Sequence, residues 1–454
     1  MTFIVILGLY LVGMFAVGVY GSRYAKDTNS FLTSSKRGTL AIVTASYMAS
    51  HFGAGFVVGG AEQGAQIGIG GIWFGFAMAL SYVVFGLVMA RGIYRAGYIT
   101  VADLLYKTYG DRVTSTGYAI FNSIASVGII AGQIMAGQRL LQAVGLDGFT
   151  GAAIVTIVVI VYSAMSGLWG VMMTDFIQMI VGGVGLLSVF FVVLSAGGFG
   201  YLQTALPANF FSVVPESWST YQFLMILVPT TLYGFLSQAS FQRVVASKDE
   251  RVAVVSPFLS AALLIPLACL PPIIGMYGHA VFPDLQAGSV LFNVILNGLN
   301  PIFGALFIAA IIAAIMSTAD SQILGVTANI VHDIYQNTLN PNASEKSCRY
   351  LSLVVAVATG AVSMFVALSF TTIIGLLSFT YSILVAGMLV PVLGGYLWKG
   401  ATGQGATAAM ITGVVVLFLG RYEILPVPYP QLVAAIPALV VLVAVSLVTG
   451  KAKA

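Results

Sequence analysis

The chain has 454 residues, 59% hydrophobic and only 7% charged, with a mean hydropathy of +1.01. Soluble domains carry about 25% charged residues, so the composition excludes a soluble globular protein and points to a polytopic helical membrane protein. The formal charge of +4 reflects basic loops and makes no case for a nucleic-acid partner, and the two cysteines, Cys269 and Cys348, give no disulfide framework.

Apolar runs of about 20 residues cross a hydrocarbon core as helices. They predict thirteen spans, near 2–21, 38–66, 70–94, 114–143, 149–167, 170–196, 219–245, 252–278, 301–335, 349–370, 372–398, 404–420 and 430–449. The first, MTFIVILGLYLVGMFAVGVY, is followed rather than preceded by its basic residues Arg23, Lys26, Lys36 and Arg37. A cleaved signal peptide shows the reverse order, so this run reads as a leading span entering from outside; the spans after it are counted from one. Cytoplasmic loops collect Lys and Arg. With the N-terminus outside, sixteen of the eighteen basic residues fall inside and only Arg139 and Arg421 outside. That partition needs an odd number of spans and places the C-terminal KAKA in the cytoplasm. The longest external stretches are Gly197–Trp218 and His279–Asn300.

Span one contains ASHFGAGF (Ala49–Phe56), and span six, five spans later, contains LYGFLSQASFQR (Leu232–Arg243). Each is a long apolar segment interrupted by Gly and polar residues. Glycine also serves close helix packing, but the recurrence of the interruption favours a broken helix at both positions. Broken helices at matching places in two halves mark the binding site of an inverted-repeat transporter, because a break frees backbone carbonyls that must bind something. His51 sits at the first break. A lone His is commonly a satisfied interior residue, yet here it is equally well placed to hydrogen-bond a substrate. Glu62, near the outer end of span one, reads as a solvated helix end, and His279 and His332 read as rim residues.

Span five carries Asp175 in MMTDFIQ, about one to two turns from its cytoplasmic end. No basic residue lies in any predicted span core, which leaves Asp175 as a cation-site candidate or a proton carrier. An Arg or Lys reaching in from a rim is the alternative. Span eight contains AAIMSTADSQ (Ala313–Gln322), where Ala314, Ser317, Thr318 and Ser321 share one helical stripe at i, i+3, i+4 and i+7, with Asp320 at its edge. A single hydroxyl would only back-bond to its own helix. Three hydroxyls and a carboxylate on one face instead offer the oxygens a hard monovalent cation takes, with none of the sulfur or imidazole ligands of zinc or copper. No nucleophile–base pair, Gly-rich phosphate loop or nucleotide-binding segment is present, which disfavours an enzyme or an ATP-driven pump and supports secondary transport.

Together these motifs resemble the sodium:solute symporter family. AAIMSTADSQILGVTANIVHDIY (Ala313–Tyr335) looks like its eighth core helix, SGLWGVMMTDFIQ (Ser166–Gln178) its fifth, and FQRVVASKD (Phe241–Asp249) the end of its sixth. The resemblance runs from the leading span to about Lys399. It implies a leucine-transporter-type fold within one transmembrane domain, residues 1–454: a leading span at 2–21, inverted five-helix repeats at 38–196 and 219–398, and two extra spans at 404–449. It further implies a main sodium site made by the carbonyls of Ala49, Phe52 and Ala314 and the hydroxyls of Ser317 and Thr318. A second sodium would use Asp175, Ser317, Asp320 and Ser321, with a proton on one carboxylate as the alternative.

ASHFGAGFVVGGAE (Ala49–Glu62) looks most like the choline-transporter branch, which holds a quaternary ammonium by cation–π contact. The branch's two Trp positions are occupied here by His51 and Ser237. With Gln238 these suggest a hydrogen-bonding pocket for an amino acid or small carboxylate, with choline or another quaternary amine as the alternative. Phe52, Gly53, Phe56, Trp73, Phe76 and Tyr233 are the other expected lining residues, with Phe379 and Tyr381 as an aromatic gate. The expected protein is therefore a multi-pass cell-membrane symporter that imports a small polar solute with sodium by alternating access. Its rivals are a proton-coupled carrier and a non-transporting channel or sensor, the channel being disfavoured because the polar residues cluster at mid-depth.

Overall fold

The computed structural model describes residues 2–23, 33–143, 145–163, 168–426 and 429–450. Lys26, the end of the predicted span 149–167, the first residues of SGLWGVMMTDFIQ and the terminal KAKA lie outside the described residues. The described chain is almost wholly helical, as a backbone in lipid must be to satisfy its own N–H and C=O groups. Among the described residues the only β contact is an isolated bridge between Gly38 and Ser247.

In chain order the principal helices begin with α1 (Thr2–Ser22), α2 (Leu40–His51), α3 (Gly60–Ile67), α4 (Ile72–Phe85), α5 (Val101–Tyr109) and α6 (Arg112–Ala143). There follow α7 (Gly148–Ser163), α8 (Leu168–Ser195), α9 (Thr220–Leu232), α10 (Gln238–Ala246), α11 (Glu250–Ala268) and α12 (Leu270–Val281). The chain continues through α13 (Ala287–Gly298), α14 (Pro301–Thr327), α15 (Glu345–Ser369), α16 (Ile373–Leu397), α17 (Gly403–Arg421) and α18 (Ala435–Thr449). Many starts follow local chemistry: the side chains of Ser219, Asp249, Asn300 and Ser344 each accept a backbone N–H of the first turn of the helix that follows. Among the described residues nine helical runs are long and apolar enough to cross a bilayer, and the bent pair α9 and α10 makes ten. One of the nine, Ala54–Ala96, joins the outer half of predicted span one to predicted span two.

Two breaks organise the bundle. α2 ends at Phe52 (ψ 33°) and Gly53 (φ −98°, ψ −150°), and an under-wound turn over Ala54–Gly59 leads into α3. The α9 run ends at Phe235 and α10 restarts at Gln238, bent by 40°. The ends of the two broken helices away from α3 are tied directly, since Gly38 N–H donates to Ala246 O at 2.8 Å and Lys248 N–H to Gly38 O at 2.9 Å. α14 packs between α6 and α8, and α8 lies against α2. Burial separates core from periphery: 78% of the α14 window and 83% of the α16 window is buried, against 22% for Pro430–Thr449.

Candidate functional site

The stripe on α14 faces the first break. Thr318 Oγ1 donates within reach of two carbonyls, Ala314 O at 3.0 Å one turn back on its own helix and Ala49 O at 3.3 Å on α2. Three oxygens from two helices therefore converge beside Phe52, where α2 has lost its regular ladder. This donor set is all oxygen and fits a hard cation, which would take the hydroxyl's place as partner to both carbonyls. Ser317 turns elsewhere: its hydroxyl hydrogen-bonds Asp175 Oδ1.

Asp175 is fully buried on α8 and is not alone. Ser46 Oγ donates to its Oδ2 at 2.5 Å, and Arg243 Nη2 lies 3.4 Å from the same oxygen. The alternative of an Arg or Lys reaching in from a rim is the one the structure shows, and Asp175 is not the unpaired carboxylate favoured from the sequence. Arg243, on α10, has no exposed side-chain surface. It also donates from Nε to Ser46 O at 3.1 Å, from Nη1 to Ala239 O at 3.0 Å and from Nη2 to Ser321 Oγ at 3.2 Å. Helical side chains lean toward the N-terminus of their helix, and on α10 that direction leads from the helix end back to the break, which carries the guanidinium to the depth of Asp175. Asp320 is buried on α14 one residue before Ser321.

Next to Thr318 lies a cavity of about 10 Å³, room for a single water. Its wall includes five of the residues expected to meet a substrate: His51, Gly53, Tyr233, Ser237 and Tyr381. Tyr233 and Tyr381 stack at 4.4 Å between ring centroids. His51 stacks on Tyr82 at 4.3 Å, with Nε2 3.2 Å from Ser81 Oγ. Ser81 Oγ also donates to Met78 O at 2.6 Å. Ser237 Oγ caps α10 through the N–H of Ser240. Among the cavity residues outside the expected set are two that carry side-chain amides, Gln133 on α6 and Gln322 on α14. Gln133 Oε1 accepts the N–H of Ala54 at 2.9 Å, and Gln322 Oε1 accepts from Ser126 Oγ at 3.0 Å. Their signal was an amide in the middle of an apolar run, passed over because it carries no charge.

The remaining expected residues lie outside this cavity. The Phe52 ring occupies the space a side chain on Gly182 would take, and Phe56 packs against Gly75. Trp73 donates to Val213 O at 2.7 Å and meets Phe223 edge-on, with Phe76 beside it. Phe379 lies 4.7 Å beneath the Arg421 guanidinium. Gln238 bonds the turn before α5, accepting from Val101 N–H at 3.1 Å and donating to Ile99 O at 3.4 Å. That turn is also held by Thr100 Oγ1, 3.4 Å from Asp333. At the other end of the bundle, Glu62 is not a solvated helix end but 4% exposed and paired with Arg139 at 2.8 Å. Arg139 also donates to Thr371 O at 2.6 Å. This ion pair forms part of the wall of a second, larger cavity of about 650 Å³ together with Gln142, Asn293 and Thr372.

Comparison with known proteins gives this geometry a setting. A family model described as "Sodium:solute symporter family" matches residues 31–413. The sodium/pantothenate symporter of Escherichia coli (strain K12) is 28% identical over 452 residues, covering 92% of each chain. The high affinity choline transporter 1 of Homo sapiens is 26% identical over 399 residues, 82% of this chain and 67% of that one. Among solved structures, a Na+-coupled sialic acid symporter in a substrate-bound outward-open state superposes with a TM-score of 0.85 at 17% identity, covering 100% of this chain and 99% of that one.

Proposed function

Since the chain belongs to the sodium:solute symporter family and is a sodium-coupled symporter rather than an enzyme, we propose that sodium binds between α2 and α14 and that a small polar organic solute binds at the cavity beside it, which widens from its present single-water volume to admit the solute. The carbonyls of Ala49, Phe52 and Ala314 and the hydroxyl of Thr318 form the ion site, which the Ser317 hydroxyl joins by leaving Asp175. The observation that carries this reading is the Thr318 hydroxyl, bonded to Ala49 O and Ala314 O and also part of the cavity wall. His51, Gly53, Tyr233, Ser237 and Tyr381 meet the solute, joined by Gln133 and Gln322, while Phe52, Phe56, Trp73, Phe76, Gln238 and Phe379 support the pocket from outside it.

The solute is an amino acid or a small carboxylate. The polar side chains of the cavity wall carry hydroxyl, amide and imidazole groups with no Lys or Arg, so the neighbouring sodium supplies the positive charge. Two symporters similar to this one are named for proline and pantothenate, both carboxylates. Choline would lack its aromatic cage at positions 51 and 237. A second sodium at Asp175, Asp320 and Ser321 requires Arg243 to withdraw from the carboxylate, as does a proton.

The proposed architecture is thirteen spans in inverted five-helix repeats, with the N-terminus and Glu62 outside. Sodium enters from that side, joins α14 to α2 and sets the pocket; the bundle then opens inward and releases both. Each charge moved inward contributes about 2.3 kcal/mol per 100 mV, and coupling requires that sodium and solute raise each other's affinity equally. The test is the melting temperature of the purified protein in NaCl against KCl at equal ionic strength. A ligand of the folded state stabilises by RT ln(1 + [L]/Kd), so a saturable, sodium-specific rise is expected in the native chain and its loss in Thr318→Ala. Equal behaviour in the two salts would exclude the site.

A further inference from the structure

Gln133 lies in the middle of α6 with 2% of its surface exposed. Its Oε1 accepts the N–H of Ala54, just past the break. A buried backbone donor without an acceptor costs about 1–3 kcal/mol, so this amide satisfies one donor at the break. The other end of the same side chain is held weakly: Nε2 is 3.5 Å from Ile129 O. That leaves donor capacity on the cavity wall, of which Gln133 is part. Gly53 shows how closely the ion site and cavity adjoin. A Cβ there would lie 2.6 Å from Gln133 Oε1 and 2.7 Å from Thr318 Oγ1, so one strip of bare backbone separates the two side chains.

We infer that Gln133 is the positioning residue that carries sodium occupancy to the solute cavity. Sodium drawing on Thr318 and the Ala49 carbonyl moves the Phe52–Gly53 backbone. Gly53 has no side chain to absorb that movement, and the Ala54 N–H passes it to Gln133 Oε1. Gln133 Nε2 then turns its donor toward an acceptor group of the solute. The inference rests on the sodium site proposed above.

The test needs no known solute. Ala239, on the cavity wall, is replaced by Cys in a chain with Cys269→Ser and Cys348→Ser. The rate of modification by a water-soluble methanethiosulfonate is measured in NaCl and KCl, beside the melting temperature in each salt. With Gln133 present, sodium is expected to change the rate several-fold. Gln133→Ala and the near-isosteric Gln133→Met are expected to keep the sodium-specific melting rise while the rate changes by less than about two-fold between salts. Gln133→Glu, which keeps an acceptor for Ala54, is expected to restore the response. A sodium-dependent rate in both Gln133→Ala and Gln133→Met overturns the inference, as does a rate indifferent to sodium with Gln133 present while the melting rise persists. Loss of the melting rise in the two folded variants overturns it by placing Gln133 in the ion site itself. Absence of the rise even with Gln133 in place overturns the sodium site and this coupling together.

Discussion

Arg243 and Asp175 join four helices through one ion pair: Ser46 belongs to α2, Asp175 to α8, Arg243 to α10, and Ser317 and Ser321 to α14. Removing one partner of such a pair leaves a buried charge uncompensated and costs about 3–5 kcal/mol, whereas replacing both removes that penalty. Asp175→Asn and Arg243→Gln are each expected to lower the melting temperature steeply, and the double variant to recover much of the loss. A double-mutant cycle showing additive effects would contradict the pairing. Only half of this pair was legible in the sequence. A carboxylate inside an apolar run is conspicuous, but position along a straight span puts Arg243 at the rim. Its depth depends on the direction its side chain takes from a helix that restarts at Gln238. Gln133 and Gln322 were missed for a different reason: uncharged amides do not stand out in a search for intramembrane charge, although each is an expensive group to bury without a partner.

At the scale of elements, α3, the part of the broken helix that follows the break, packs backbone to backbone against α12. A Cβ on Gly275 of α12 would lie 2.0 Å from Ala61 O, and one on Gly64 of α3 2.1 Å from Pro272 O. Small residues permit this approach. Gly275→Val is therefore expected to push α3 away from α12 and to lower stability by about 1–3 kcal/mol. Gly183→Ala, whose added Cβ meets nothing within 4 Å, serves as the control and is expected to leave the melting temperature unchanged. Long elements were the most legible: predicted span 219–245 appears as α9 and α10 over 220–246 with its interruption in place. Short ones were not. The stretch His279–Asn300 stands in the sequence only as one of the two longest stretches between predicted spans, and it contains α13, which buries Val290, Leu291, Phe292, Val294 and Ile295. Twelve residues are too few to cross a bilayer, so a search for spans passes over a helix that lies across the bundle end.

At the scale of the whole molecule, two sets of polar contacts between separate elements lie on opposite sides of the helix breaks that frame the cavity beside Thr318. At one end Arg139 of α6 holds Glu62 of α3 and the Thr371 carbonyl before α16, and its guanidinium sits against Gly288 of α13, where a Cβ would lie 1.9 Å from Nη1. At the other end Gln238 of α10 fastens the Ile99–Val101 turn. A carrier that exposes one central site to two sides alternately must release one fastening while the other holds. Replacing Arg139 alone would strand Glu62, so Arg139→Gln is combined with Glu62→Gln, which removes both charges and keeps the shapes. In proteoliposomes of sorted orientation, with Ala239→Cys as reporter and a membrane-impermeant thiol reagent, this double variant is expected to speed modification from the Glu62 side only. Gln238→Ala is expected to speed it from the opposite side only. Equal acceleration from both sides would mean that the contacts stabilise the bundle without gating it. With asymmetric acceleration, the side that responds to Arg139 and Glu62 identifies the external face independently of the distribution of Lys and Arg among the loops.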